Sequence, residues 1–279
     1  MGIRTVLIFL GGLLGLLLFS SICSPVFADP AEDFTEITAA PSISDQSLAS
    51  TKGFHGIVGG GLAMGETVVG HRQLYVFPLP FIYMRYSDWA YWSLDRGGVW
   101  LLQNPDRTLK LGIGLGVRFE RRSNDDDSLL QGMADRHMSL DGSINAEWRN
   151  RIANVRIRYF HDLLNVSGGD GADIYISHMF FVSQKVSLTP FVGAEWLSGR
   201  MVDYYYGVRP EEATPTRPAY RGHDTINLRT GLWVTYKLSQ SWSLMSGIHV
   251  RRAGDAIADS PIVLDRYRFF TFIGVGWRF

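Results

Sequence analysis

The sequence predicts an all-β fold, a transmembrane antiparallel up-and-down β-barrel of about twelve strands, with about ten strands as the alternative. Three observations predict this fold: apolar and polar residues alternate, the chain ends on an aromatic strand, and short connections alternate with long ones. In a bacterial barrel, alternate side chains face lipid and lumen, and two termini on one side of the membrane require an even number of strands.

The clearest alternation lies between Thr108 and Glu120. Its apolar set is Leu109, Leu111, Ile113, Leu115, Val117 and Phe119, and the opposite set includes Lys110, Gly112, Gly114, Gly116 and Arg118. A helix would mix the two sets, because its period is 3.6 residues rather than two. The same pattern predicts strands at 138–148, 153–162, 226–238 and 242–251, and less regular strands at 172–181 and 186–196.

The strand number depends on the segment Trp89–Gln103. Counting this segment as one strand gives about eleven candidates from Gly53 onward, whereas a single-chain bacterial barrel needs an even number. Asp95-Arg96-Gly97-Gly98 interrupts the segment. Either a weak strand is missed elsewhere, or this segment is two strands, within a barrel that covers residues 53–279.

The C-terminal strand has the features of an insertion signal. Counting back in twos from Phe279 gives Trp277, Val275 and Ile273, whereas the other face carries Arg278, Gly276 and Gly274. A final strand that ends on phenylalanine resembles the terminal insertion signal of bacterial outer-membrane barrels. This resemblance implies the barrel-assembly machinery as a partner. An edge strand of a soluble β-sandwich is the alternative.

Residues 1–28 have the three parts of a secretory signal peptide. Arg4 supplies the positive charge, an apolar run covers 6–19, and Val26-Phe27-Ala28 forms a cleavage site. The run is shorter than the ~20 residues that span a bilayer as a helix, so we expect cleavage after Ala28. Residues 29–52 are rich in Ala, Ser, Thr, Asp and Glu, which predicts a flexible periplasmic leader.

Composition narrows the function classes. The single cysteine, Cys23, lies in the predicted signal peptide, so the mature chain is expected to have no disulfide and no Cys-ligated metal, and we predict no cofactor. Lys and Arg total 27, as do Asp and Glu, and this balance argues against nucleic acid as a partner. Aromatic residues make up 13% of the chain, yet the mean hydropathy is only +0.01, which favours a barrel over a helical membrane protein.

The connections predict the orientation of the barrel. Short turns at 104–106, 149–151, 183–185 and 239–241 alternate with longer links at 121–136, 163–171, 199–224 and 252–265. Outer-membrane barrels place short turns in the periplasm and long loops outside the cell. With Phe279 in the periplasm, each connection falls on its expected side. We therefore expect the barrel to lie among outer-membrane lipids and lipopolysaccharide.

Three motifs resemble the MipA/OmpV family of outer-membrane proteins. The first is Asp203-Tyr204-Tyr205-Tyr206-Gly207-Val208, followed by Tyr220, and the second is the run 254–263, which contains Gly254, Asp255, Asp259, Ser260 and Pro261. The third is Val76-Phe77-Pro78-Leu79-Pro80. The resemblance covers roughly Gly53 to Phe279, and one departure is Ala253, where the family tends to have a larger apolar residue.

The resemblance implies a function without catalysis. The family takes its name from a member understood to bridge a lytic murein transglycosylase and a bifunctional penicillin-binding protein. We therefore expect a non-enzymatic scaffold that links murein-synthesising and murein-cleaving enzymes, or one that supports the integrity of the envelope. The alternative is a narrow channel for small anionic or polar solutes.

Charged residues at inward positions motivate the channel alternative. The candidate lumen arginines are Arg118, Arg156, Arg158, Arg229, Arg251 and Arg268. They predict either a cation-lined pathway for anions or an ion-pair network that fills the barrel, because buried charge requires compensation. Bulky inward residues favour the filled barrel, and these are Phe160, Trp233, Phe270 and Phe272.

The loop before the last strand has two interpretations. Ser260 with His223 and Asp255 or Asp259 supplies the residue types of a hydrolase triad. Triads are defined by geometry, however, and no nucleophile-elbow motif accompanies Ser260. Asp, Ser and Pro together predict a tight turn instead, so we expect no enzyme.

Two further loop motifs are ambiguous. Tyr204-Tyr205-Tyr206 predicts either a contact surface for sugar or protein, or packing within the loop or in the aromatic girdle. Asp125-Asp126-Asp127 predicts a solvated loop, with a divalent-cation site among lipopolysaccharide phosphates as the alternative.

Overall fold

The computed structural model describes residues 53–70, 73–118 and 129–279. The predicted signal peptide, the predicted leader and Asp125-Asp126-Asp127 lie outside these described residues. Within the same ranges, none of the helices combines the length and the apolar character that crossing a membrane requires.

Thirteen strand segments form one antiparallel sheet. In chain order they are β1 (Phe54–Thr67), β2 (Gln73–Tyr86), β3 (Ala90–Ser93), β4 (Arg96–Gln103), β5 (Leu109–Arg118), β6 (Ser139–Arg149), β7 (Asn154–Asp162), β8 (Asp170–Ser177), β9 (Phe180–Phe181), β10 (Val186–Leu197), β11 (Thr225–Lys237), β12 (Trp242–Arg252) and β13 (Tyr267–Arg278). Both β8 and β9 pair with β10, so they are two parts of one strand and the wall contains twelve strands.

The sheet closes on itself. β1 pairs with β13 from Ile57 opposite Arg278 to Gly65 opposite Phe270. The amide and carbonyl of Phe279 also exchange hydrogen bonds with Gly56, both at 3.2 Å. The predicted antiparallel barrel of twelve strands is therefore confirmed, and the alternative of ten strands is wrong.

The segment Trp89–Gln103 forms two strands, which is one of the two alternatives left open by the sequence, but the break has a different position. It lies at Leu94-Asp95, and Gly97-Gly98, expected within the break, belongs to β4. Packing requires a glycine at Gly97, because a Cβ atom there would lie 2.5 Å from the ring of Trp92. The glycine thus lets an aromatic side chain of β3 lie across β4.

The outward face of the barrel is apolar, as the alternation predicts. On β5, Leu111, Ile113 and Leu115 are 40%, 49% and 41% exposed, whereas Lys110 is only 4% exposed. Exposed apolar side chains recur on all the long strands. This surface is the lipid-facing belt of the barrel.

The inside of the barrel contains an apolar cluster, which we call the lumen core. Its buried members are Ile57, Ala63, Phe77, Leu79, Phe81, Leu94, Tyr175, Phe191, Trp233, Met245, Phe270 and Phe272. Aromatic rings connect different strands: Phe272 lies 5.6 Å from Phe81 and 6.4 Å from Trp233, measured between ring centroids. Between Phe77 and Phe81 both faces of β2 are apolar, so this part of the strand lacks the charged inward residue seen on β5.

Candidate functional site in the cap and the lumen

Two long connections fold together at the end of the barrel that is predicted to be extracellular. The connection after β10 contains α1 (Gly199–Tyr206) and a short 3-10 helix (Pro210–Glu212), and the connection after β12 contains α2 (Asp255–Ala258). They share a second apolar cluster, which we call the cap. Its buried members are Val68, Val69, Leu130, Met133, Phe160, Leu197, Met201, Val202, Tyr205, Tyr206, Val208, Ala253, Ala256, Ile257 and Ile262. Since Phe160 and Leu197 are strand residues, the cap packs on the rim of the barrel.

The first family-like motif builds α1 and its C-terminal turn. The Asp203 carboxylate accepts a hydrogen bond from the Gly222 amide at 2.9 Å. The Gly207 amide donates to the Asp203 carbonyl at 2.9 Å. The Tyr204 hydroxyl accepts a hydrogen bond from the His137 amide at 2.8 Å, and Tyr205 and Tyr206 are buried. The three tyrosines therefore pack within the cap.

The second motif joins α2 to α1. The Ser260 hydroxyl donates to the Tyr206 carbonyl at 2.6 Å, and the Tyr220 hydroxyl donates to the Ala256 carbonyl at 2.9 Å. The Gly254 amide donates to the Asn227 side chain at 3.0 Å, which anchors the start of α2 on β11. Thus the residues singled out in the two motifs meet in one structure, although about fifty positions separate the motifs in the chain.

The hydrolase residues adopt the arrangement of a turn. Ser260 is buried, and its hydroxyl is bonded to a backbone carbonyl rather than to a histidine. Asp255 and Asp259 instead face Arg266, at 2.5 and 3.7 Å. Pro261 follows in the turn after α2. Across the described ranges, no group of three or more His, Cys, Asp or Glu residues is placed to hold a metal ion.

A buried ion pair joins the connection between β5 and β6 to the cap. Arg136 and Glu212 lie 2.9 Å apart and are 1% and 4% exposed. The Arg136 guanidinium also donates to the Tyr204 carbonyl at 2.6 Å, while Glu212 accepts hydrogen bonds from the amides of Ala134 at 2.9 Å and Arg209 at 3.1 Å. Burial alone would raise the pKa of Glu212, but these hydrogen bonds and the positive charge of Arg136 lower it to about 2.

Arg217 also links the connection between β5 and β6 to the 3-10 helix. Its guanidinium donates to the carbonyls of Gln131 and Glu212, both at 3.1 Å. Neither Arg217 nor the Arg136–Glu212 pair is among the sequence-based candidates. No local pattern distinguishes a loop charge that will be buried by a distant partner from one that stays in water.

The lumen arginines are held mainly by carboxylates. Glu195 of β10 lies 2.7 Å from Arg229 and 3.7 Å from Arg251, and it accepts a hydrogen bond from Asn227 at 2.9 Å. Arg229 also donates to the Tyr175 hydroxyl at 2.7 Å. Breaking a buried pair of this kind leaves an uncompensated charge, which is strongly destabilising.

A second group of lumen charges lies beneath the cap. Arg118 pairs with Asp141 at 2.7 Å, and its guanidinium stacks 5.2 Å from the ring of Phe160 and 5.7 Å from that of Tyr205. It therefore connects the lumen to α1. On β13, Arg268 donates to the hydroxyl of Tyr75 on β2 at 3.2 Å.

The remaining arginines border a small internal cavity. The cavity has a volume of about 60 Å³, and Arg96, Arg156 and Arg158 contribute to its wall together with Tyr83, Tyr91, Ser93, Trp100, Asn145, Ala146, Glu147, Ile157, Asp173 and Tyr175. Arg158 donates to Asp173 through Nε at 2.7 Å, and Arg96 pairs with Asp95 at 2.8 Å. The Nε atom of Arg156 is buried without a hydrogen-bond partner in the described structure.

The residues of the predicted insertion signal face outward. Ile273, Val275 and Trp277 of β13 are exposed, and the rings of Trp277 and Phe279 stack at 5.3 Å. Phe279 closes the barrel through its bonds to Gly56. The C-terminal strand thus presents its apolar face to lipid.

A closed sheet with an apolar belt, a filled lumen and a folded cap over one end defines an outer-membrane β-barrel protein. A family model described as MltA-interacting protein MipA matches residues 58–279. The chain belongs to this family of outer-membrane proteins, so the resemblance identified from the sequence motifs is confirmed.

Individual relatives are distant. The chain is 26% identical over 166 residues to outer membrane protein Omp26La of Vibrio anguillarum and 27% identical over 166 residues to OmpV of Vibrio cholerae, matches that cover 60% of this chain and 63% of each relative. It is 24% identical over 225 residues to MltA-interacting protein of Escherichia coli, covering 80% of this chain and 89% of that protein. A solved outer-membrane channel from Pseudomonas putida shares 12% identity at a TM-score of 0.44, covering 84% and 99% of the two chains.

Proposed function

We propose that this protein is a non-enzymatic scaffold that links murein-cleaving and murein-synthesising enzymes and so supports the integrity of the envelope. The observation that carries the proposal is membership of a family described as MltA-interacting protein. The partners would be a lytic transglycosylase and a penicillin-binding protein. Export would remove residues 1–28, and the barrel-assembly machinery would insert the barrel.

The filled lumen and the cap support a scaffold. Large side chains from several strands meet inside the barrel, and most of the lumen charges are neutralised by partners. The cap is fixed to the rim by a buried ion pair and by several side-chain hydrogen bonds. These features favour a rigid body over a wide pore, and a rigid body is suited to holding two enzymes near one another.

The periplasmic turns are the surfaces that murein enzymes would reach. The turn between β6 and β7 carries Ile152, which is 82% exposed. An apolar side chain at this exposure gives a partner a place to bury surface. On the opposite end, Leu264 is 48% exposed in the connection after β12 and provides a control.

Pull-down of the detergent-solubilised full chain from native envelopes tests the scaffold. We expect a lytic transglycosylase and a penicillin-binding protein to co-purify. Ile152→Ser should reduce the recovery of at least one enzyme several-fold, whereas Leu264→Ser should not. If neither enzyme is enriched over an unrelated barrel, the scaffold proposal is wrong.

The second candidate function is a narrow channel for small anions. The cavity lined by Arg96, Arg156 and Arg158 favours it, because three guanidinium groups there face two carboxylates, those of Glu147 and Asp173. Planar-bilayer recording of the purified protein should then show anion-selective conductance that Arg156→Ala reduces. Silence over many insertions would remove this candidate.

A further inference from the structure

The charged side chains around the internal cavity leave one guanidinium group without a carboxylate of its own. They form three ion pairs, which are Arg96 with Asp95, Arg149 with Glu147, and Arg158 with Asp173. Arg156 also borders the cavity. Among the residues that the structure describes, its side chain has no ion-pair or hydrogen-bond partner, and its Nε atom is buried. The cavity therefore carries an excess of positive charge at Arg156.

Glu147 cannot compensate for this excess, because several basic side chains share it. In the strand pairing it stands opposite Lys110 of β5 on one side and Arg156 of β7 on the other. Its carboxylate is bonded to Arg149. One negative charge thus faces three positive ones, and positive charges that are partly shielded from water require a counter-charge. An anion bound beside Arg156 would supply it.

Tyr91 adds a neutral donor to the same cavity. Its hydroxyl lies over Gly98, where a Cβ atom would be only 2.6 Å away, and its ring packs 5.3 Å from that of Trp100. The glycine and the tryptophan therefore fix the position of the hydroxyl. It borders the cavity within electrostatic range of Arg156, and it has no hydrogen-bond partner among the described residues.

The size of the cavity matches a small ion. Its volume of about 60 Å³ corresponds to roughly four to six water molecules at ~10–15 Å³ each. A phosphate ion or a small carboxylate fits such a space, whereas an oligosaccharide or a lipid headgroup with its chains does not. Arg156 is partly exposed and lies near the start of β7, so an ion would approach from the end of the barrel that is predicted to be periplasmic.

We propose that the cavity is a binding site for a small oxyanion, a phosphate or a carboxylate, held by the guanidinium of Arg156 and the hydroxyl of Tyr91. A guanidinium is a planar fork of N–H donors that matches two oxygens of such an anion. A halide offers no pair of oxygens, and a cation would meet the excess of positive charge. The site goes beyond the scaffold function, and although it uses the cavity considered for the channel, it requires no conducting path.

Equilibrium binding to the purified full chain in non-ionic detergent tests the site. Isothermal titration is done with inorganic phosphate and, separately, with acetate, at an ionic strength held constant with sodium chloride. We expect saturable binding of one ion per chain for at least one of the two, and the comparison shows which kind of oxyanion the site prefers. Tyr91→Phe should weaken this binding several-fold, because it removes the hydroxyl donor.

The decisive comparison is between two arginines. Arg156→Gln should weaken binding about ten- to a hundredfold, the loss expected for a hydrogen bond to a charged group. Arg151→Gln is the matched control, because it removes the same charge from an exposed turn next to β7 and should leave the affinity unchanged. Heat-modifiable migration verifies that each variant is folded. If Arg156→Gln does not fold, Arg156→Lys takes its place, since it keeps the charge and loses the fork.

Three results would overturn the proposal. They are the absence of saturable binding of either ion, an equal loss of affinity in Arg156→Gln and Arg151→Gln, and competition by chloride as strong as that by the oxyanion itself. A silent bilayer recording together with saturable binding would remove the channel and leave this site. The failure of the site is therefore distinguishable from the failure of the channel, and neither depends on the pull-down of murein enzymes.

Discussion

Arg136 and Glu212 form a buried ion pair at 2.9 Å across 76 positions of the chain. The pair joins the connection before β6 to the 3-10 helix of the cap, and each partner makes additional bonds to backbone groups. A pair that is both buried and fully bonded is strongly destabilised when one member is removed, because the other charge is left without compensation. The cap should therefore depend on this pair far more than on any exposed pair.

Neutralising one partner tests that dependence. Glu212→Gln should destabilise the cap by about 3–5 kcal/mol while leaving the barrel assembled, because the strands do not use this contact. Trypsin should then cut after Arg221 several-fold faster, with heat-modifiable migration unchanged. Asp255→Asn is the control, since its partnership with Arg266 is exposed and worth about 0–1 kcal/mol. Equal cleavage rates in the two variants would show that the pair does not hold the cap.

The pH dependence of the cap follows from the same carboxylate. The pKa of Glu212 is about 2 in the folded protein against an ordinary value of 4.5. A lowered pKa stabilises the folded cap above the ordinary value, and this contribution is lost as the pH falls from about 4.5 toward 2. Its full size is about 3 kcal/mol, from the difference between the two pKa values. Pepsin digestion of the cap should accelerate over this range in the natural protein, and the acceleration should be weaker in Glu212→Gln.

Features of the fold that depend on a local sequence pattern could be predicted, whereas those that depend on contacts between distant residues could not. The alternation from Leu109 to Arg118 is a local pattern, and it gave the strand and its lipid-facing side. The two motifs around Tyr206 and Ser260 marked the loops that meet in the cap. The family resemblance singled out these loops, but neither the resemblance nor periodicity nor spacing showed that they touch.

The parts that were not predicted depend on contacts between distant positions. Arg136 and Glu212 read as solvated loop charges until the fold brings them together. On β2, Leu79 points into the lumen and Val76 points outward, yet alternation cannot separate the two faces when both are apolar. Gly97 belongs to β4 rather than to the break, and the packing of Trp92 against it is a contact between strands that a local pattern does not show.

Pro78 and Pro80 of β2 should prevent two copies of the protein from pairing through this strand. Replacing Pro78 and Pro80 together by Val restores two amide donors on a side of β2 that no described strand pairs with. Unpaired edges promote pairing between copies, so the double variant should form SDS-resistant dimers that the natural protein does not form. Ile113→Val, an equally outward change on a fully paired strand, is the control. Semi-native gel electrophoresis measures the outcome, and a monomeric double variant would remove this role of the prolines.

In the glycine run of β1, two adjacent glycines differ in how much space surrounds them. A Cβ atom at Gly61 would lie 2.1 Å from the Ile273 carbonyl oxygen of β13, whereas at Gly60 its nearest neighbour would be 3.8 Å away. Both residues lie where β1 pairs with β13 and closes the sheet. Gly61→Ala must therefore push the closing strands apart, at a destabilisation on the order of 1–3 kcal/mol, while Gly60→Ala meets only ordinary contact. Urea unfolding of the two variants in detergent, followed by tryptophan fluorescence, should show a lower midpoint for Gly61→Ala alone. Equal midpoints would mean that the closure between β1 and β13 tolerates a side chain at Gly61.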